Sequence, residues 1–418
     1  MFQSPCSPRK FSIFAIYLDV QMPTLSQRGL ALPASPIRKL AAFAEQAKQQ
    51  GIQVLHLNIG QPDIKAPEAA LRAVQQSSLD LLPYGPSQGT TAYRTKLCRY
   101  YKTHNIELEP DQILVTTGAS EAIYFTFSVL CDAEDEVIIP EPSYANYNGF
   151  AAAAHVKVVP VVARFEDQFK LPDIAAIAAK ITPKTKAILI CNPSNPTGYL
   201  YSSNEIAALG ELALKHDLYL IVDEVYREFV YDGATHYSVL QNKAWRENAI
   251  MIDSVSKRYS LCGARVGCIV SRNKAFMDVV LKFAHLRLSP ATYALMASEA
   301  ALEAPEEYYR QVVEEYTHRR EVLVRALEQI NGLKVSKPKG AFYCIASLPV
   351  PDAEAFAKFL LTDFSDQGAT VMLAPAAGFY SDPSLGKNQV RIAFVLEAAK
   401  LQQAAAILKK GLEAYLKS

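Results

Sequence analysis

The sequence lacks a Cys-x-x-Cys pair and any block of like charges. Its seven cysteines are scattered over 418 residues, and their odd number argues against a disulfide framework or a structural zinc site. The formal net charge is +1, so the chain shows neither the basic patch that nucleic acids require nor a charged membrane-binding face. We therefore expect no metal, no nucleic-acid partner and no membrane partner, and we expect a reducing compartment, the cytoplasm.

The sequence also lacks a membrane-spanning run near its N-terminus. Residues 11–18 are mostly apolar and resemble the core of a signal peptide, but about eight residues are too few to cross a bilayer. Asp19 ends the run, and no Ala-x-Ala cleavage site follows it. We expect residues 1–22 to be a loose tail, or to be absent because translation starts at Met22. A secretion signal is the alternative interpretation.

What the sequence does contain is an alternation of strand and helix patterns, and 50% of its residues are hydrophobic. The predicted strands cover 112–117, 136–140, 157–162, 185–191, 218–222, 249–252 and 268–271. The predicted helices of this part cover about 37–50, 67–79, 90–104, 120–130 and 202–215. This alternation predicts an α/β fold with a mainly parallel sheet and helices on both faces. Beyond about residue 300, a long helix over 306–330, strands near 341–347, 369–373 and 389–395, and helices near 352–364 and 397–416 predict an α+β lobe.

One stretch carries a lysine in a setting suited to covalent chemistry. Lys257 follows a β-type run (249–252), stands close to serines on both sides and precedes Arg265 by eight positions. A lysine amine condenses with an aldehyde when a shielded site lets it lose its proton. Hydroxyl groups and a guanidinium are what a phosphate would need beside it. Taken alone, a Ser-x-Ser-Lys sequence is also typical of a surface lysine at the end of a strand.

Further candidates follow predicted strands, where the ligands of parallel sheets collect. The segment 118–120 (Gly-Ala-Ser) opens a helix, and the free N–H groups and the dipole of its first turn favour a phosphate. Such a segment is also a common N-cap. Tyr144, in a Pro-Ser-Tyr sequence, could lay its aromatic face on a flat ring, or could be an ordinary tyrosine.

Other segments would bring polar groups into buried places. The loop 192–198 has two Asn-Pro corners, which require a fixed backbone, allow a cis peptide bond and present Asn195 as a donor. Asp223 follows an apolar strand, so its carboxylate needs a cationic partner such as a protonated pyridine nitrogen, and Tyr226 could reach the phenolic oxygen of the same ligand. Arg391 interrupts another apolar strand and calls for a carboxylate. Structural ion pairs, or an N-cap at Asp223, are the alternatives.

Taken together, these segments resemble the class I and II aminotransferases of fold type I, over residues 23–418. The resemblance implies a large domain (67–300) that binds pyridoxal 5'-phosphate on a seven-stranded, mainly parallel sheet. It also implies a smaller α+β domain made of residues 23–66 and 301–418. The implied cofactor-binding residues are Tyr84 (reaching the site of the neighbouring subunit), Ala119, Ser120, Tyr144, Asn195, Asp223, Tyr226, Ser254, Ser256, Lys257 and Arg265. Lys257, Asp223 and Tyr226 are implied to be catalytic, and Gly60, Asn195 and Arg391 to bind substrate.

The same resemblance implies a homodimer that moves an amino group between an L-amino acid and a 2-oxo acid such as 2-oxoglutarate. Arg287 is the candidate for a side-chain carboxylate, because aspartate-type relatives contribute such an arginine from this part of the partner chain. Aspartate and glutamate are therefore favoured, and a helix-surface arginine paired with a carboxylate is the alternative. Ser120 stands where aspartate-specific members often have a lysine, so alanine or aromatic donors stay open, as does a β-lyase reaction. Regulators with an aminotransferase-like domain carry a DNA-binding domain in front, and 22 residues are too few for one.

Overall fold

The computed structural model describes residues 23–33 and 35–417. The expectations for residues 1–22 lie outside this range. The helices are Gln27–Ala31 (α1), Ala41–Gln49 (α2), Glu68–Gln75 (α3), Thr91–Thr103 (α4), Gly118–Leu130 (α5), Asn146–Ala153 (α6), Ile174–Ala178 (α7), Ser203–Lys215 (α8), Val255–Arg258 (α9), Lys274–Arg287 (α10), Thr292–Ala301 (α11), Glu306–Glu328 (α12), Ala353–Thr362 (α13) and Ala398–Tyr415 (α14). The strands are Gln53–His56 (β1), Ile113–Thr116 (β2), Glu136–Glu141 (β3), Lys157–Val162 (β4), Thr185–Cys191 (β5), Tyr219–Asp223 (β6), Ala249–Ser254 (β7), Gly267–Ser271 (β8), Lys334–Val335 (β9), Tyr343–Ser347 (β10), Ala369–Met372 (β11), Ala374–Pro375 (β12) and Gln389–Ala393 (β13).

Seven strands form one sheet in the order β2-β8-β7-β6-β5-β3-β4. Strand β8 runs antiparallel to both of its neighbours, and the remaining pairs are parallel. The prediction of a mainly parallel, seven-stranded sheet is confirmed. In β6, Leu220 and Val222 belong to one buried cluster and Ile221 to another, because successive strand residues point to opposite faces. Helices cover both faces, which is why the central strands are apolar without alternation.

Two smaller sheets join distant parts of the chain. Strand β1 pairs in parallel with β11, and the four-stranded sheet has the order β12-β13-β10-β9. The first pairing supports the predicted division of the chain, in which residues 23–66 join residues 301–418. That division stays a prediction.

The segment before α2 differs from the sequence pattern. A helical face beginning at Ile37 was predicted, whereas residues 36–40 form turns and α2 begins at Ala41. The amide of Ala41 donates to the carbonyl of Arg38 at 2.9 Å, a three-residue step instead of a helical four-residue one. The carbonyl of Ile37 accepts a bond from the side chain of Asn58, so a tertiary contact holds the turn. Helices α6, α7, α10 and α11 were also not predicted.

Three further features concern membrane-spanning helices, cysteine thiols and metal-ligating side chains. Within the described ranges, no helix combines the length and apolarity that crossing a membrane requires. The six cysteines of the described chain are free thiols. No cluster of three or more metal-ligating side chains occurs in this part of the chain.

Candidate active site

A cavity of about 680 Å³ lies where β2, β5, β6 and β7 end at their carboxyl sides. Twelve of the predicted site residues line it together: Gly60, Ala119, Ser120, Tyr144, Asn195, Asp223, Tyr226, Ser254, Ser256, Lys257, Arg265 and Arg391. Residues that are far apart in sequence therefore meet, because parallel strands bring their carboxyl ends to one edge of the sheet.

The amine of Lys257 projects into this cavity from α9. It donates to the carbonyl oxygen of Gly60 at 2.8 Å and lies 3.9 Å from the thiol of Cys262. Within the described chain it forms no ion pair with a carboxylate, and its charge acts on that of Asp223 only at longer range. A half-buried lysine without a counter-ion is suited to act as a nucleophile.

The carboxylate of Asp223 lies at the end of β6 and is 4% exposed. It accepts a hydrogen bond from the hydroxyl of Tyr147 at 2.8 Å and a longer one from the amide of Val225 at 3.3 Å. Burial raises the pKa of Asp223 to about 6, because two neutral donors compensate only part of the lost hydration. A cationic group in the cavity would restore the ionised form.

An anion cradle lies between α5 and β8. Gly118 has φ +72°, and a Cβ at this position would stand 2.6 Å from the Nη2 atom of Arg265. Gly267 lies close to the same turn: a Cβ added at Gly267 would lie 2.7 Å from the amide nitrogen of Ala119. The N–H groups of the first turn of α5 have no partner within the helix. The cradle therefore combines a guanidinium with free amides at a helix N-terminus.

Two buried serine hydroxyls complete the cradle. Ser254 donates to the carbonyl of Val266 at 2.8 Å, and its hydroxyl lies 2.8 Å from that of Ser256. The Ser254 hydroxyl also caps α9 by accepting from the amide of Ser256 at 3.1 Å. The cap fixes the helical turn that carries Lys257, so the lysine and the cradle are held in one rigid unit.

Arg391 is the buried cation of the opposite wall, and it is 1% exposed. One guanidinium nitrogen donates to the side-chain oxygen of Asn195 at 2.9 Å, and another donates to the carbonyl of Asn58. The guanidinium also lies over the ring of Tyr343, 4.4 Å from its centroid. It forms no ion pair with a carboxylate of the described residues, so the alternative interpretation as a structural ion pair is wrong. A buried guanidinium with neutral partners only is ready to bind an anion.

Aromatic side chains stand on both sides of this arrangement. The hydroxyl of Tyr226 lies 2.9 Å from that of Tyr343. Tyr144 packs edge-on against Tyr147, with ring centroids 5.4 Å apart, and accepts a bond from Asn146 at 2.8 Å. Since Tyr147 holds Asp223, the ring of Tyr144 is fixed beside the aspartate.

Two predicted residues do not line the cavity of their own chain. Tyr84 is 83% exposed. Arg287, at the end of α10, donates to the carbonyls of Ser87 and Val115 at 3.1 and 2.9 Å, and lies 3.4 Å from Glu121. These contacts match the alternative interpretation of a helix arginine paired with a carboxylate. A role for Arg287 in the site of a neighbouring subunit stays a prediction.

Several residues of the cavity were not predicted from the sequence. Tyr147 and Tyr343 are two of 22 tyrosines, and nothing in their local sequence sets them apart. Asn58 does not line the cavity itself, but its carbonyl accepts a bond from Arg391, and it lies in a strand-like pattern over residues 54–59. Arg38 was not predicted as a site residue; it lies in the predicted helix over 37–50, in a part that the structure shows as turns.

The arrangement defines a class of enzyme. A lysine amine without a counter-ion, a buried carboxyl group with a pKa of about 6 and an anion cradle fit the aldehyde, the pyridine nitrogen and the phosphate of pyridoxal 5'-phosphate. All three groups face one cavity on a mainly parallel sheet. The site is that of a pyridoxal-phosphate-dependent enzyme.

Comparison with known proteins names the family. Residues 52–408 match the family described as "Aminotransferase class I and II". The chain is 32% identical over 402 residues to an aspartate aminotransferase of Bacillus subtilis (strain 168), which covers 93% of this chain and 99% of that protein. The chain belongs to the class I and II aminotransferases, and it is therefore a pyridoxal-phosphate-dependent enzyme that transfers amino groups.

Solved structures show the same fold. An aspartate aminotransferase from Thermus thermophilus with maleate matches with a TM-score of 0.85 at 28% identity, over 93% of this chain and 100% of that one. An alanine aminotransferase from Pyrococcus furiosus matches with a TM-score of 0.86 at 29% identity, over 94% and 100% of the two chains.

Proposed function

We propose that this enzyme transfers the amino group of L-aspartate or L-glutamate to a 2-oxo acid such as 2-oxoglutarate. The observation that carries the proposal is that Lys257 and Arg391 donate to carbonyls of the same short segment, residues 58–60. The amine of Lys257 bonds the carbonyl of Gly60, and the guanidinium of Arg391 bonds that of Asn58, two residues earlier. An amino acid whose carboxylate binds Arg391 therefore presents its Cα near the lysine.

The cofactor would be held by three groups of side chains. The phosphate would be bound by Arg265, by the hydroxyls of Ser254 and Ser256 and by the backbone amides of Ala119 and Ser120. Asp223 holds the proton of the pyridine nitrogen, and Tyr144 packs on the ring. Tyr226 and the side-chain amide of Asn195 donate to the ring hydroxyl. When bound, pyridoxal phosphate supplies the sink for the electrons released at Cα.

The residues of the chain then move one proton. Arg391 would hold the substrate carboxylate, while the amine of Lys257 would take the proton from Cα and then give it up, acting first as base and then as acid. The donor would leave as its 2-oxo acid, with a carbonyl oxygen supplied by water. The second 2-oxo acid would take up the amino group, lose its carbonyl oxygen as water and leave as the new amino acid.

We further propose a cytoplasmic homodimer in which Tyr84 completes the site of the neighbouring subunit. Large apolar side chains are exposed on the surface around Tyr84 and at the end of α10: Leu79, Leu81, Leu82, Leu286 and Leu288. Such exposure is typical of a protein–protein contact. The six free thiols fit a reducing compartment. The domains are residues 67–300, which bind the cofactor, and residues 23–66 with 301–418.

A panel of amino donors with 2-oxoglutarate as acceptor tests the substrate proposal. We expect aspartate to give the highest kcat/KM, with glutamate active in the reverse direction. The matched control is Lys257→Ala, which should lose activity and also the cofactor label that borohydride fixes to the wild-type chain. A preference for alanine or aromatic donors would contradict the proposal, and release of ammonia without an acceptor would identify a β-lyase.

A further inference from the structure

The charges that line the cavity do not balance. Among its described lining residues, four side chains are cationic, Arg38, Lys257, Arg265 and Arg391, and one is a carboxylate, Asp223. In the proposed function Lys257 reacts, Arg265 binds the phosphate and Arg391 binds the substrate α-carboxylate. Asp223 serves the pyridine nitrogen. Arg38 is the cation to which the reaction assigns no anion.

The segment around Arg38 is held in place by the packing of its neighbours in sequence. Pro36 packs closely on Gly378, where an added Cβ would lie 2.6 Å from that of Pro36. Leu40 is buried in the core, whereas Lys39 makes only an exposed ion pair with Glu354. Arg38 is exposed at the cavity, and its guanidinium forms no ion pair or hydrogen bond with the described residues. A rigid backbone therefore presents a cation that is free for a ligand.

A short chain of hydrogen bonds places Arg38 on the substrate side of the cavity. The side chain of Asn58 donates to the carbonyl of Ile37 at 2.9 Å, and the carbonyl of Asn58 accepts from Arg391. One residue therefore ties the neighbour of Arg38 to the guanidinium that binds the α-carboxylate. The anion cradle, by contrast, is built from α5, α9 and β8, on the sheet side of the cavity.

We propose that Arg38 binds the side-chain carboxylate of a dicarboxylic substrate and so determines the preference for aspartate and glutamate. This inference rests on the proposed function. It gives Arg38 the role that the sequence suggested for Arg287. The Nη2 atom of Arg287 donates to the carbonyls of Ser87 and Val115, and its Nε atom lies 3.4 Å from Glu121. A guanidinium matches a carboxylate with two parallel hydrogen bonds, which a neutral side chain of the substrate cannot provide.

The test compares Arg38→Gln with Lys39→Gln in the holoenzyme. Arg38→Gln should lower kcat/KM for aspartate about 10- to 100-fold, the value of a charged hydrogen bond, while kcat/KM for alanine stays within about twofold. Lys39→Gln removes a neighbouring charge whose exposed ion pair contributes little, and it should change neither donor. Arg38→Lys, which keeps the charge but not the fork, should lie between Arg38→Gln and the wild type.

Binding without turnover gives a second readout. Succinate, a dicarboxylate, should bind the wild-type holoenzyme more tightly than propanoate, and Arg38→Gln should abolish that difference in a calorimetric titration. Equal losses for aspartate and alanine, or an unchanged succinate preference, would overturn the assignment of Arg38.

The same experiments separate this inference from the function on which it rests. A wild-type enzyme that transaminates no dicarboxylic donor would overturn the proposed function. A wild-type enzyme that uses aspartate well, with an Arg38→Gln variant that does so too, would overturn only the role of Arg38.

Discussion

Asp223 illustrates how a single residue can be costly to the fold and necessary for the chemistry. Burial raises its pKa from 3.8 to about 6, so the folded protein without cofactor keeps a proton that the unfolded chain releases. The free energy of unfolding therefore falls as the pH rises from about 4 through 6, because the folded state binds more protons in this window. The pKa difference corresponds to about 3 kcal/mol that is lost at neutral pH.

Asp223→Asn should remove this pH dependence. In cofactor-free protein we expect the variant to be more stable than the wild type by up to about 3 kcal/mol near pH 8, and by less near pH 5, where Asp223 is mostly protonated. Urea unfolding of both proteins at the two pH values measures the effect. Added pyridoxal phosphate should stabilise the wild type more than the variant, because only an ionised carboxylate gains from a pyridinium. Parallel stability curves for the two proteins would mean that Asp223 is already ionised at low pH.

At the level of single residues, the sequence was informative where a charge interrupts an apolar strand. Asp223 and Arg391 were found because their neighbours predict burial, and both line the cavity. Tyr147 was not found, because it depends on the packing of α6 against the sheet and that helix was not predicted. The Nη2 atom of Arg287 donates to two backbone carbonyls, which no sequence pattern can indicate.

Among the elements, the start of β8 determines how closely the two sides of the anion cradle, α5 and β8, approach each other. A methyl group at Gly267 would stand 2.6 Å from the carbonyl carbon of Gly118 and would push β8 away from α5. Gly263, four residues earlier, has no atom within 4 Å of its ideal Cβ position. The pair therefore offers the same substitution in a crowded place and in an open one.

Gly267→Ala should weaken cofactor binding and lower stability by about 1–3 kcal/mol, the usual effect of overpacking. Gly263→Ala should leave both quantities close to the wild type. Fluorescence titration with pyridoxal phosphate gives the dissociation constant, and thermal unfolding gives the stability. If the two variants behave alike, the close approach of β8 to α5 does not form the cradle.

Strands were easier to predict than the short helices. Each strand of the large sheet was located from an apolar run, because burial on both faces leaves a strong signal in the sequence. Residues 36–40 continue the apolar pattern of α2, yet contacts with Asn58 and Gly378 hold them as turns. Tertiary contacts decide the structure of such a segment, and for that reason the sequence pattern did not indicate that Arg38 lines the cavity.

For the whole molecule, the proposed exchange of Tyr84 between subunits can be tested by mixing two defective chains. Tyr84→Ala keeps Lys257, and Lys257→Ala keeps Tyr84, so each homodimer has two damaged sites. A mixed dimer has one site with both residues intact, and random mixing should restore about a quarter of the wild-type activity. The assay is run at low cofactor concentration, where loss of a phosphate contact matters most. No recovery after unfolding and refolding the mixture would place Tyr84 outside the partner's site.

The parallel pairing of β1 with β11 has a consequence for the synthesis of the chain. Gln53 pairs with Ala369, more than 300 residues later, whereas strands β2 to β8 lie within residues 113–271. At about 5–20 residues per second, β1 leaves the ribosome roughly 15–60 s before its partner strand exists. The large sheet can form on a growing chain, but the apolar Val54 and Leu55 must wait for almost the entire protein to be made. A chain that stops before residue 369 therefore leaves the apolar strand β1 unpaired and exposed near its N-terminus, where a chaperone or a protease would recognise it.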